Sequence, residues 1–99
     1  MLNKQQRHEL LSLYGDNYIS MQIAILKHVT DKTIKDKCIY FTATQAAYYH
    51  TCNILGIAQR ATKIKNYIDT IAYSNLATKD TIKQLENISI KEVIKELEL

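Results

Sequence analysis

The sequence predicts an all-α fold, and three features of its composition support that prediction. The 99 residues include no proline and only two glycines. A β-sandwich or barrel needs a turn signal about every ten residues, which two glycines cannot supply. Hydrophobic residues make up 46% of the chain, and 13 basic residues nearly balance 10 acidic ones, which argues against disorder. We therefore predict one compact domain, residues 1–99, built as a bundle of five to seven short helices.

The N-terminal half is predicted to hold four of these helices. Asn3 and Gln6 have the spacing of a capping box, and the apolar pattern after them predicts a helix that ends near Tyr14. Residues 15–17, Gly-Asp-Asn, are predicted to form a loop. Three further helices are expected to begin at residues that can cap them: Ser20, then Thr30 or Asp31, then Thr44.

The C-terminal half contains the most regular pattern. Apolar residues recur at spacings of three and four along 57–73, which predicts an amphipathic helix that acts as the central strut of the domain. Thr78 is expected to cap a sixth helix. Ser89 and Glu92 have capping-box spacing and predict a seventh helix, after a break near Asn87.

Hydropathy and charge limit where the protein acts. No apolar run approaches the roughly 20 residues of a membrane span, and the first residues lack a signal-peptide core, so we expect a cytoplasmic protein without membrane association. Residues 21–66 carry seven lysines or arginines against two aspartates, whereas residues 76–99 carry four lysines against five acidic residues. A basic middle segment is compatible with nucleic-acid binding and also with an ordinary solvated surface.

The residues that could carry chemistry are few. Cys38 and Cys52 are not a CxxC pair, and both are expected to be free thiols. A zinc site that adds His50 is disfavoured, because positions 50 and 52 of a helix point about 200° apart. The chain has no phosphate-binding glycine loop and no triad-like spacing of its histidines. We therefore expect no catalytic site, no metal and no cofactor.

Residues 20–38 carry the spacing of a DNA-binding motif. Ala24 is a small residue, and His28 occupies the turn position four residues later. Val29 is the apolar residue next to it, and Ile34 is another apolar residue five positions further. This spacing lets two short helices cross closely, and the segment resembles the helix-turn-helix family.

The resemblance covers residues 2–38 when the preceding helix is included. It implies that Thr30 lies near a phosphate at the start of a recognition helix. It also implies that Lys32 and Lys35 face the DNA backbone.

Two other segments carry related patterns. Residues 48–68 have the small, turn and apolar positions at Cys52, Gly56 and Ile57, and residues 81–97 repeat the first pattern more weakly. Glutamine and arginine are residue types that read adenine and guanine edges in the major groove. The candidate DNA contacts in the 48–68 segment are Gln59, Arg60 and Lys63.

Two functions therefore follow from the sequence. The first is a small regulatory protein that binds double-stranded DNA as a homodimer, since two copies double the length of the site. The alternative is a protein-binding helical module such as an inhibitor, an immunity protein or an antitoxin. Seven of the eight aromatic residues are tyrosines, a residue type suited to protein interfaces. The distribution of basic and apolar side chains over the folded surface discriminates between the two.

Overall fold

The fold is all-α, as the sequence predicts. A computed structural model describes residues 2–30 and 34–99, and these form helices without any strand. The number of helices agrees with the prediction, but the first two are long, with 27 and 20 residues. The helices are α1 (Lys4–Thr30), α2 (Lys35–Ile54), α3 (Ala58–Ala72), α4 (Thr78–Glu86) and α5 (Ile90–Glu96).

Helix α1 runs without interruption through the predicted loop at 15–17. Its buried residues keep the helical spacing of three and four across that segment: Leu11, Tyr14, Gly15, Tyr18, Ile19 and Gln22. Gly15 is buried against Ile90 of α5, and a Cβ atom at Gly15 would lie 2.8 Å from the Cδ1 atom of Ile90. The loop prediction is therefore wrong, because this glycine provides a close helix contact rather than a turn.

The helix starts predicted at Ser20 and Thr44 are also wrong. Ser20 lies inside α1, which continues to Thr30, so the tight turn expected at His28 is not formed. Thr44 lies inside α2, where its hydroxyl donates to the carbonyl oxygen of Tyr40 at 3.0 Å. That bond satisfies the hydroxyl within the helix, so the threonine does not act as a cap. The expected cap at Asp31 lies outside the described residues.

The C-terminal elements follow the predicted pattern closely. The apolar stripe of α3 is confirmed, with Ala61, Ile64 and Ile68 fully buried. Helices α4 and α5 are separated at Asn87, as expected. Thr78 is the first residue of α4 rather than its cap, because Ala77 occupies the N-cap position. Ser89 is the N-cap residue of α5, but its side chain makes no capping hydrogen bond, so the predicted box there is not formed.

The capping box at the start of α1 is confirmed. The backbone N–H of Asn3 donates to Oε1 of Gln6 at 3.1 Å, and the backbone N–H of Gln6 donates to Oδ1 of Asn3 at 2.8 Å. These two bonds satisfy backbone donors that have no partner inside the helix.

Helix α1 is the central element of the bundle. It contacts each of the other four helices, whereas α3 contacts α1, α2 and α4. The predicted role of the 57–73 segment as the strut is thus taken largely by α1. The long first helix provides this role because its buried stripe extends over more than three turns.

A buried polar network connects α1 to α3. The Tyr18 hydroxyl donates to Oδ1 of Asp69, and Nε2 of Gln22 donates to the Tyr18 oxygen at 2.9 Å. Lys65 pairs with Oδ2 of Asp69 at 2.8 Å, and its ammonium lies 5.7 Å from the centre of the Tyr18 ring. Burial, together with the carboxylate of Asp69, raises the pKa of Tyr18 well above its ordinary value. The network fixes the neutral phenol as a donor between the two helices.

Candidate functional site

Helix α2 packs against the rest of the protein with only one side. It contacts α1 and α3, and the Tyr14 and Tyr49 rings lie 6.3 Å apart. Cys52 is its one buried residue. The half-buried residues on the same side are Cys38, Phe41, Gln45 and Tyr48. A helix of 20 residues is thus held by a narrow stripe, and most of its surface faces solvent.

The opposite side of α2 is exposed and apolar. Ile39, Tyr40 and Ile54 are 59%, 65% and 68% exposed, values unusual for large apolar side chains. Between them lie exposed alanines and a histidine at spacings of three and four, which place all of them on one side of the helix. We call this surface the outward face of α2, and it consists of Ile39, Tyr40, Ala43, Ala46, Ala47, His50 and Ile54.

The outward face also lacks charge. None of the residues from Cys38 to Gln59 is Asp, Glu, Lys or Arg. A solvent-facing side of a helix normally carries charged residues, because they keep their hydration and prevent association. The outward face of α2 therefore has the composition of a contact surface rather than that of a solvated one.

The predicted DNA contacts are divided between two places on the molecule. Lys35 is the first residue of α2 and is exposed. Gln59 and Lys63 are exposed on α3, where they line a groove of about 350 Å³ together with Tyr49. The axial distance from Lys35 to Tyr49 along α2 is about 21 Å at 1.5 Å per residue. The structure thus brings Gln59 and Lys63 together and leaves Lys35 far from them.

The other three predicted contacts have different positions. Thr30 is the last residue of α1, and its side chain lies outside the described part of the chain, as does all of Lys32. Arg60 is half-buried, and its Nη1 donates to the carbonyl oxygen of Leu99 at 2.9 Å. The Nε of Arg7 donates to the same oxygen at 3.1 Å. Arg60 thus holds the segment after α5 against α1 and α3.

The tyrosines do not form one surface. Tyr14 and Tyr18 lie in the core, and Tyr48 and Tyr67 are half-buried. The exposed tyrosines are Tyr40, Tyr49 and Tyr73. Burial raises the pKa of Tyr14 to about 12, as expected for a phenol removed from water. Only Tyr40 belongs to the outward face of α2, so isoleucine and alanine, rather than tyrosine, dominate that surface.

Two further observations concern metal and membrane. Among residues 2–30 and 34–99, no group of three His, Cys, Asp or Glu side chains is arranged to hold a metal ion. Within the same residues, no helix combines the length and the hydropathy that crossing a membrane requires.

The comparisons with known proteins give no match. No protein-family model, no curated protein and no solved structure matches this chain. We therefore infer the function from the surface of the molecule alone.

Proposed function

We propose that this chain is a protein-binding helical module that uses the outward face of α2 to contact its partner. The main observation behind this proposal is that the face is both apolar and free of charged residues, while the opposite side of the same helix packs on the bundle. Surface patches of this kind mark interaction sites in soluble proteins. The helix presents its anchors on a rigid element whose position is fixed by α1, so binding requires little ordering of the chain.

Ile39 and Ile54 are the expected anchors at the two ends of the face. Full burial of a completely exposed isoleucine side chain contributes about 1.5–3 kcal/mol, and these two are 59% and 68% exposed, so each adds about 1–2 kcal/mol. Tyr40 adds a large ring with a hydroxyl that can reach a polar group at the rim. A partner that covers the outward face therefore gains from all three side chains at once.

The test is photo-crosslinking inside the cells that make the protein. A benzophenone amino acid replaces Ala47 or Ile54 on the outward face, or Gln84, which is exposed on α4, as the matched control. We expect an adduct of defined mass at both α2 positions and none at Gln84, and the same adduct is expected to disappear when Ile39→Glu is introduced. Absence of any protein adduct at the α2 positions, or equal adducts at all three positions, would contradict the proposal.

A second candidate function is DNA binding through residues 48–68, and one observation favours it. A short turn joins α2 and α3, Gly56 adopts a φ of 80°, and Cys52 and Ile57 on its two sides are buried. This is a tight connection between two packed helices, and it leaves Gln59 and Lys63 exposed on the second one. The small number of cations at this place predicts modest, salt-sensitive affinity.

Fluorescence anisotropy with random-sequence duplex DNA tests this second candidate. Measurements at about 50 and 200 mM salt cover the range in which phosphate contacts weaken strongly. Binding that is lost at the higher salt, and that Lys63→Glu weakens more than Lys79→Glu, supports the DNA function. Lys79 is exposed at the start of α4 and gives the same change of charge at a distant place. Absence of binding at the lower salt, or equal effects of the two variants, contradicts it.

A further inference from the structure

The outward face of α2 has a symmetric arrangement of residues. Ile39 and Ile54 lie equally far on either side of the point between Ala46 and Ala47. Ala43 and His50 also lie equally far from that point. Tyr40 departs from this pattern, because its counterpart, Asn53, is not part of the face. Isoleucines are found at the two ends, and the alanines at 43, 46 and 47 occupy the middle.

We propose that a second copy of this chain covers the outward face, with the two α2 helices antiparallel and a two-fold axis passing between Ala46 and Ala47. The inference rests on the proposed binding role of that face and names its occupant. In an antiparallel pair around this axis, each Ile39 lies opposite Ile54 of the other copy. A two-fold interface uses the same patch on both subunits, so each residue contact occurs twice.

The size of the central side chains suits a close helix pair. Ala46 and Ala47 of one copy lie opposite Ala47 and Ala46 of the other, where only methyl groups separate the two backbones. Packed helices approach to an axial distance of 8–10 Å that depends on the side chains at the contact, and alanines permit the lower value of about 8 Å. The close centre brings the isoleucines at both ends into contact.

Charge also favours a second copy. Like charges that face each other across an interface between identical subunits repel at each symmetric position. The outward face carries no Asp, Glu, Lys or Arg, so a second copy meets no such repulsion. The same rotation places Tyr40 opposite Asn53 of the other copy, and both residues are exposed. An amide is a suitable hydrogen-bond partner for the phenol at the edge of the interface.

The available area reaches what a specific dimer needs. With the axis between Ala46 and Ala47, the two helices overlap along residues 39–54, since α2 ends at Ile54. These residues span about 24 Å at 1.5 Å per residue. With a solvent-accessible radius of about 6.5 Å, half of the helix surface over this length amounts to about 500 Å², and two copies bury about 1,000 Å². A specific interface is expected to bury at least about 1,000 Å² in total, and interfaces below about 1,200 Å² are typical of weak association. An interface at this lower limit predicts self-association in the micromolar range rather than an obligate dimer.

Sedimentation equilibrium of the full chain across micromolar concentrations tests the inference. We expect the wild-type protein to pass from monomer to dimer, and Ala46→Glu to weaken dimerisation by at least about a hundredfold, because two carboxylates then meet near the axis. Gln84→Glu on α4 is the matched control, since it adds the same charge at an exposed position outside the outward face. Circular dichroism confirms that each variant retains its helices.

Each result has a defined consequence. A wild-type protein that remains monomeric, or a dimer that Ala46→Glu and Gln84→Glu affect equally, overturns the inference. The proposed function is judged separately by the photo-crosslinks. An α2 adduct with a different protein from a monomeric chain keeps the binding role and rejects the second copy as the occupant, whereas absence of any α2 adduct rejects the binding role itself.

Discussion

Replacement of Gly15 by alanine tests the contact between α1 and α5. The added Cβ atom would lie 2.8 Å from Cδ1, 2.9 Å from Cγ2 and 3.0 Å from Cγ1 of Ile90. These distances are shorter than ordinary van der Waals contacts, and they involve most of the isoleucine side chain, which is 3% exposed and has little room to move. An extra methyl group in a packed core costs about 1–3 kcal/mol. Alanine in a helix interior gains about 1 kcal/mol over glycine.

The two effects oppose each other, and the clash dominates. We expect Gly15→Ala to lower the free energy of unfolding by about 1 kcal/mol, which corresponds to a fall in Tm of about 4–8 °C for a domain of this size. Urea denaturation followed by circular dichroism measures the change.

The control is the same substitution in an Ile90→Ala background. Ile90→Ala alone is expected to cost about 2–5 kcal/mol, because it removes buried methyl groups. In that background the clash is absent, and Gly15→Ala is expected to stabilise the protein by up to about 1 kcal/mol. If Gly15→Ala changes the free energy of unfolding by the same amount and sign in both backgrounds, the contact with Ile90 does not decide the effect.

Three further predictions concern the buried polar and titratable groups. Tyr18→Phe removes the hydrogen bonds of the buried hydroxyl and is expected to lower the unfolding free energy by about 1–3 kcal/mol in urea titrations. Tyr73 is 75% exposed, and Tyr73→Phe is expected to change this free energy by less than about 0.5 kcal/mol. Equal effects of the two substitutions would contradict the role of the network. Burial raises the pKa of Tyr14 from 10.0 to about 12. The contribution of the neutral phenol to stability is therefore complete below pH 10 and is lost as the pH rises from 10 through 12. Tyr14→Phe is expected to reduce the loss of stability between about pH 9 and 11, and an unchanged loss would contradict this expectation. Burial raises the pKa of the Cys52 thiol, so Cys52 is expected to react with iodoacetamide only when the protein unfolds. The half-buried Cys38 is expected to react in the native state. Mass spectrometry of native and denatured samples measures the labelling, and native labelling of Cys52 would contradict its burial.

The sequence predicts the elements whose signals are local. The capping box of Asn3 and Gln6 forms because two side chains three residues apart satisfy two backbone donors without help from the rest of the fold. The stripe of α3 is buried as predicted, because its apolar residues all lie on one side of an otherwise polar helix.

The prediction at Gly15 is wrong because a tertiary contact decides the role of this residue. Gly15 lies in a Gly-Asp-Asn segment that is typical of a turn. In the fold, its lack of a side chain lets Ile90, a residue 75 positions away in the sequence, pack closely against α1. The same limit applies to residues 20–38, where the helix-turn-helix spacing is present and yet α1 continues to Thr30. Spacing alone does not distinguish a turn from a continuous helix when both bury the same apolar residues.

The sequence does contain a signal for the outward face of α2, namely a long stretch without charged residues. The stretch from Cys38 to Gln59 contains no charged residue of the Asp, Glu, Lys or Arg type, and apolar residues occur on every side of the helix. Such a pattern ordinarily indicates a helix buried in the core. Only the packing of α2 on α1 and α3 reveals which side is left open, and therefore which residues are free to bind.

Disulfide crosslinking between copies is the most direct test of the antiparallel pair. In a Cys38→Ser, Cys52→Ala background, Ile39→Cys and Ile54→Cys are introduced singly and together, and the protein is oxidised at a concentration at which the wild type dimerises. In the antiparallel pair, the two copies of position 39 lie about 22 Å apart along the axis, beyond the reach of a disulfide.

The antiparallel pair predicts rapid crosslinking of the double variant, and of a mixture of the two single variants, but slow crosslinking of either single variant alone. Crosslinks that form equally in all samples, or only between two copies of position 39, would contradict the antiparallel arrangement. Absence of any crosslink in a folded, dimeric protein would show that a different surface joins the two copies.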